Sequence, residues 1–108
     1  MRRGDLYRVR HPAGDARRSR VFVVVSRRGL VDSRLSTVVC APVYTRRDGL
    51  ATQVDVGPRE GLKHESSVHC DALVSLAKRV LTDYGGTLRG TVEEELDHAL
   101  RIALSVEG

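Results

Sequence analysis

The stretch "RRSRVFVVVS", residues 17–26, decides how the chain is read. Val21 to Val25 are all bulky and apolar, four β-branched valines around Phe22. Such a run packs poorly in a helix and reads as a buried strand. Three arginines, Arg17, Arg18 and Arg20, lead straight into it. A charge cluster at the mouth of a buried strand calls for a reason, because burying an arginine is costly and solvating it is easy.

Other strands follow on either side. "DLYRVR" at 5–10 alternates apolar and polar residues and reads as a first strand, and "HPAGDARRS" at 11–19 as a loop. "RRGLVDSRLS" at 27–36 reads as a loop with one helical turn. "TVVCAPVYT" at 37–45 is another apolar strand, in which Pro42 belongs at an edge or a bulge because it has no N–H to donate. "RRDG" at 46–49 is a turn. In "LATQVDVG" at 50–57 the residues Leu50, Thr52, Val54 and Val56 share one face. "PREGLKHES" at 58–66 is a second polar loop. "SVHCDALVSL" at 67–76 reads as one strand with Val68, Cys70 and Ala72 pointing one way, and "AKRVL" at 77–81 as a helical turn.

Gly85, Gly86 and Gly90 mark turns before the one clear helix. Thr91 is its expected cap, with Glu94 completing a capping box, and Val92, Leu96, Ala99, Leu100 and Ala103 form an apolar stripe. About five short strands and one terminal helix imply a small curled antiparallel sheet or barrel with helices on its rim.

Composition bounds the function classes. A chain of 108 residues implies a single domain, 1–108, with a modest core. No apolar run approaches the ~20 residues of a membrane span, and "MRRGDLYRVR" lacks a signal-peptide core, so a cytoplasmic protein with no membrane partner is expected. Cys40 and Cys70 lie in apolar segments without zinc spacing and read as buried reduced thiols. The net charge is +4, and it is uneven: Arg2, Arg3, Arg8, Arg10, Arg17, Arg18, Arg20, Arg27, Arg28 and Arg34 crowd the first third against Asp5, Asp15 and Asp32. Such asymmetry points to a polyanion. With only Tyr7, Phe22, Tyr44 and Tyr84 as aromatics, a broad base-stacking platform is excluded.

Four landmarks then fall in order: "RRGDLY", the arginine-led strand Arg20–Ser26, "TVVCAPVYT", and "GLKHESSVHCDALVSLAKRVL". Together with the tail "ALRIALS" they resemble the MazF/PemK family of bacterial toxin–antitoxin toxins across nearly the whole chain. The resemblance implies an SH3-like β-barrel, mainly β with short helices (α+β) and a C-terminal helix, assembled as a homodimer. It implies a sequence-selective endoribonuclease that cuts single-stranded RNA by 2′-OH attack, leaving a cyclic phosphate and a 5′-OH, with neither metal nor cofactor. It also implies a cognate antitoxin whose acidic C-terminal segment blocks the RNA groove.

Residue by residue, Arg20 matches the family's catalytic arginine. A guanidinium offers a rigid fork of donors to phosphoryl oxygens but stays protonated, so its expected part is stabilising transition-state charge. The family's threonine position falls on Tyr44 and the following serine position on Thr45, a departure. Either residue supplies the hydroxyl, with Thr45 preferred, and a one-residue slip would reverse the two. Ser66 and Asp71 match a serine and an aspartate of the family: Ser66 is expected to bind phosphate or a base edge, Asp71 to orient backbone or Arg20. Asp5 is expected to cap or to pair with an arginine.

From their loop positions, Arg17, Arg18, Arg27, Arg28, Arg46 and Arg47 are expected to grip phosphates. His11 and His64 sit in the two polar loops, around 11–19 and 57–65, expected to contact bases, and His69 lies in the strand beside Cys70. Two other readings stay open: a basic SH3-like module that binds nucleic acid without cutting it, and a CcdB-like gyrase poison. The absence of tryptophan weighs against the second.

Overall fold

Alternation along the arginine-led strand sets up the whole architecture. A computed structural model describes residues 1–10 and 19–106. In it, β2 (Arg20–Val24) pairs antiparallel with β1 (Asp5–Val9) on one side and with β3 (Thr37–Tyr44) on the other. Successive side chains leave a strand on opposite faces. Val21 and Val23 therefore face one way, while Arg20, Phe22 and Val24 face the other.

The first face carries the larger core. Leu6, Val23, Ala41, Val43 and Val68 line it, joined by Val54 and Val56 of β4 (Gln53–Val56). The terminal helix, α2 (Thr91–Ala103), covers it with Leu96, Ala99 and Leu100, and Val92 and Ala103 flank the contact. That is the expected stripe. Leu96 is fully buried, so truncating it to alanine would cost about 2–5 kcal/mol. Arg3 ties the entry of β1 to α2 through an ion pair with Asp97 at 2.5 Å. The opposite face carries a smaller cluster of Tyr7, Val24, Val31, Val38, Cys40 and Leu81.

The protein is mostly β, an antiparallel sheet curled into a half-barrel, in the order β4, β5 (Ser66–His69), β3, β2, β1, β7 (Asp83–Thr87), with β6 (Val74–Ala77) also on β3. Here the chain departs from the expected single strand at 67–76. The structure breaks it into β5 (Ser66–His69), a 3₁₀ turn at Cys70–Ala72, and β6 (Val74–Ala77). Both pieces pair with β3, β6 along Thr37–Cys40 and β5 at Val43–Tyr44. One straight strand cannot serve both ends of a curling partner, and the turn absorbs the bend. It leaves Ala41 and Pro42 without a partner strand on that side, so the proline sits at a local edge inside a buried strand. The expected face at 50–56 holds only for Val54 and Val56: β4 begins at Gln53, and Leu50 is exposed in the preceding turn.

The helical turns expected at 27–36 and 77–81 are present, as α1 (Arg28–Val31) and a 3₁₀ turn at Lys78–Val80. The two are stitched together, because Lys78 Nζ donates to the carbonyls of Leu30 and Ser33 at 3.1 and 2.8 Å. Thr91, the expected cap, is instead the first residue of α2. Gly90 takes the cap position and no side-chain capping bond forms.

Gly85 and Gly86 do not mark a turn. They lie within β7 (Asp83–Thr87), which pairs with β1 and slips register between Leu6 and Tyr7. The reason is a close backbone approach. A Cβ on Gly86 would overlap the Glu60 carbonyl, and one on Gly61 would overlap the Gly85 carbonyl; both glycines have positive φ, +154° and +94°. The 3₁₀ turn at Pro58–Glu60, which starts the loop into β5, is pressed against β7 in this way.

Both cysteines are free and buried. Burial pushes the Cys40 thiol up to about 12 from its ordinary 9.0. Burial, with the Asp71 carboxylate adding to it, pushes Cys70 up to about 11.

Two outcomes are expected. Gly61→Ala or Gly86→Ala should each cost about 3 kcal/mol, from backbone strain plus overlap, read as a lowered urea midpoint at unchanged slope. The thiols add a pH dependence. An unfolded chain ionises them near pH 9.0 while the fold keeps them protonated, so stability is full below that pH and drains as pH rises through about 11 and 12. Urea midpoints should fall on the alkaline side, and fall less steeply in the Cys40→Val/Cys70→Val double variant.

Candidate functional site

On the second face of the sheet, beyond the small apolar cluster, the side chains turn polar. Pairing of Val21 with Val43 sets the β2–β3 register, and carrying it one position further sets Arg20 opposite Tyr44. Tyr44 in turn pairs with Ser67 of β5, and His69 lies two residues along on the same face. Four side chains from three strands therefore converge. The Arg20 Cζ lies 4.1 Å from the centroid of the Tyr44 ring. The Tyr44 ring packs T-shaped against His69, with centroids 4.6 Å apart and planes inclined at 67°. His69 is buried, its Nε2 2.8 Å from Ser67 Oγ and 3.2 Å from the Arg46 carbonyl oxygen. Ser67, also buried, donates to that same carbonyl at 2.6 Å.

Arg20 and Tyr44 open onto a cleft of about 710 Å³. Arg8 and Ser19 form one wall, bonded to each other at 3.2 Å. Thr45 and Arg46, just past the end of β3, form another. Leu62, Lys63 and His64 close it from the loop before β5, with Ser66 at the start of that strand, where Ser66 Oγ donates to the His64 carbonyl at 3.0 Å. Arg8, Arg20, Arg46 and Lys63 give this lining four cations, and no aspartate or glutamate is among the described residues that form it. The lining is built for an anion. Among the described residues no three of His, Cys, Asp and Glu gather in a way that could hold a metal ion.

The expected site residues sort unevenly onto this geometry. Arg20, Tyr44, Thr45, Arg46, His64 and Ser66 come together. Tyr44 ends β3 on the face of Arg20, whereas Thr45 lies past the strand, exposed and released from its alternation.

The other expected phosphate-gripping arginines are elsewhere. Arg47 is committed to structure: it donates to the carbonyls of Ser66 and Val56 at 3.0 Å each and pairs with Glu65 at 2.8 Å. That tethers the exit of β3 to β4 and β5. Arg27 takes the cap position before α1 and lines a separate groove with Arg3 and Asp97, and Arg28 pairs with Asp32 at 3.4 Å. Asp71 does not orient Arg20; it accepts a bond from Thr52 at 2.5 Å. Asp5 caps the turn before it rather than meeting an arginine side chain, accepting from the Arg2 N–H at 2.8 Å and the Thr87 hydroxyl at 2.7 Å. His11, Arg17 and Arg18 lie outside the described residues.

Sequence reading missed Arg8, Lys63 and the part of His69. Arg8 reads as the exposed position of an alternating strand, and Lys63 as one charge in a polar loop. The pairing of Arg8 with Val21, which also lines the cleft, is what brings Arg8 to the cleft mouth, and a pairing partner is not written in either segment.

No helix among the described residues is long and apolar enough to cross a membrane. No curated protein matches the sequence. Among solved structures, the chain is similar to a mycobacterial endoribonuclease in complex with its cognate antitoxin, at TM-score 0.85 and 26% identity, covering 100% of this chain and 98% of that one. It is also similar to the Mycobacterium tuberculosis toxin MazF-mt6, at TM-score 0.81 and 26% identity over 96% of this chain and 99% of that one. A MazE–MazF complex from Deinococcus radiodurans shares the fold, at TM-score 0.77 and 19% identity over 99% and 97% of the two chains. A family model described as PemK-like, MazF-like toxin of type II toxin-antitoxin system matches residues 2–104. The chain belongs to that family of toxins.

Proposed function

We propose that this toxin is an endoribonuclease that cleaves single-stranded RNA at the Arg20 cleft, with no metal ion. The observation that carries the reading is a cleft whose described lining holds four cations and no acid, with one guanidinium held on an aromatic ring. Relatives 26% identical to the chain over nearly its full length are described as an endoribonuclease and a toxin.

The chemistry assigned to the cleft is an internal transfer. The ribose 2′-oxygen bonds to the adjacent phosphorus as the bond from phosphorus to the 5′-oxygen breaks. The 2′-OH loses its proton and the 5′-oxygen gains one, leaving a 2′,3′-cyclic phosphate and a 5′-OH. Charge builds on the non-bridging oxygens, and the Arg20 fork stabilises it most where water is thinned by the cleft walls. The Thr45 hydroxyl, at the cleft surface, hydrogen-bonds the same phosphoryl group. His64, with water, exchanges the protons, since an imidazole is the side chain suited to that near neutral pH. Arg8, Arg46 and Lys63 hold flanking phosphates.

The working form is a homodimer. Its partner is a cognate antitoxin whose acidic C-terminal segment fills the cleft by the same charge complementarity that admits RNA. The mycobacterial and D. radiodurans relatives were solved with antitoxins.

The test incubates the protein with a long RNA in EDTA. Discrete cuts whose new ends accept label directly as 5′-OH are expected. Arg20→Ala should lower the rate at least ~100-fold with the fold intact, and Arg20→Lys nearly as much, because an ammonium is no fork. Intact RNA accompanied by a salt-sensitive mobility shift would replace this reading with a binding module. Binding itself, measured on the Arg20→Ala variant, should weaken steeply with salt. Three remaining cleft cations predict a slope of log K against log[salt] of about −2 on single-stranded RNA. A slope near zero would remove the cleft as the phosphate site.

A further inference from the structure

We propose that His69 is a positioning residue: through Tyr44 it sets the Arg20 guanidinium over the cleft, and the three side chains work as one stacked unit. This rests on the ribonuclease reading above for its kinetic consequence, but not for its geometry.

The contact between Arg20 and Tyr44 is of an unusual kind for a phosphate-binding arginine. A carboxylate partner would fix the guanidinium by taking two of its N–H donors and cancelling its charge. An aromatic face attracts the cation through the ring quadrupole and takes no donor. With Cζ 4.1 Å from the ring centroid, Arg20 is held while its fork stays available to phosphoryl oxygens. An aromatic at position 44 therefore solves a problem a threonine could not. It steadies a solvent-exposed arginine without neutralising it.

A ring can steady an arginine only if the ring itself is held. Tyr44 is half-buried at the last position of β3, where a strand ordinarily frays. His69 supplies the hold. Its imidazole packs T-shaped on Tyr44 at 4.6 Å, and burial beside Ser67 and the Arg46 carbonyl fixes the imidazole in turn. The same pair, His69 and Ser67, clamps the Arg46 carbonyl at 3.2 and 2.6 Å. The backbone that carries Thr45 into the cleft is pinned by the bonds that fix the imidazole. His69 does not line the cleft, so it touches no substrate and acts only through Tyr44 and this carbonyl.

In this arrangement the part of Tyr44 that matters is its ring face, not its hydroxyl. Tyr44→Phe keeps the ring and should lose much less kcat than Tyr44→Leu. Tyr44→Leu should lose about two- to fivefold in kcat, the rate equivalent of an exposed cation–π contact, with little change in KM. His69→Ala should show the same split, and His69→Phe, which restores a ring against Tyr44, should recover most of the loss.

A second readout needs no RNA. The Arg20 side-chain Nε–Hε signal in NMR should carry an upfield ring-current shift in the wild type. It should move toward the free-arginine position in Tyr44→Leu and His69→Ala, and remain in Tyr44→Phe and His69→Phe. Thermal unfolding of each variant checks that the fold persists; should His69→Ala fail to fold, His69→Phe against Tyr44→Leu carries the comparison.

If Tyr44→Phe loses as much as Tyr44→Leu, the hydroxyl is the working group and the proposal falls. If His69→Ala leaves both kcat and the Arg20 signal unmoved, His69 is only a packed core residue. If the wild type cleaves no RNA, the ribonuclease reading fails, while the Arg20 signal still confirms or refutes the stacked unit.

Discussion

The antiparallel register between β2 and β3 is the constraint on which the rest of this molecule depends. Val21 opposite Val43 and Val23 opposite Ala41 keep one face of the sheet apolar beneath α2. The same register carries Arg20 to a place opposite Tyr44 on the other face. A slip of one residue would turn the valines outward and send the arginine toward the core. Burial of the valines thus enforces the position of the charge. The hydrophobic effect does not act on Arg20, but it holds the strand that does the placing.

Around that register the protein sorts its many cations into two kinds. Arg47, Arg28 and Arg3 are matched with acids and serve the fold, Arg47 most extensively through two carbonyls and Glu65. Arg8, Arg20, Arg46 and Lys63 converge on a lining to which no described acid contributes. Arg46 does reach Asp48 at 3.1 Å, but at an exposed position where such a pair is weak and yields readily to a phosphate. This division leaves the cleft as the surface proposed above for RNA and for an acidic antitoxin segment.

Much of the fold is legible in the chain. The β-branched run at 21–25, the alternation at 5–9 and the three- and four-residue spacing at 92–103 are local patterns, and each becomes the element it implies. Two of the misreadings share a cause. Residues 67–76 look like one strand because their apolar character is continuous, yet the two halves meet different stretches of a curving β3. Gly85 and Gly86 look like a turn because glycine is the usual turn residue, yet they are small so that the Pro58–Glu60 turn can press on β7. Thr91 looks like a cap and lies one residue inside the helix. In the first two cases a distant backbone, not the local residues, made the choice; at the helix start the local Gly90, at φ +61°, takes the cap position.

The candidate site divides the same way. The sequence by itself determined that an arginine stands at the head of a buried strand, that a tyrosine and a threonine end the strand that follows, and that the whole pattern is that of a toxin family. Those features are local or ordered along the chain. Only the tertiary structure decided which cations reach the cleft, that Arg47 and Asp71 serve elsewhere, and that Arg20 rests on Tyr44 with His69 behind it. The physical reason is that side-chain alternation is written every two residues within a strand. The register between strands far apart in the chain, such as Val21 with Val43, is set by the burial of the whole sheet at once.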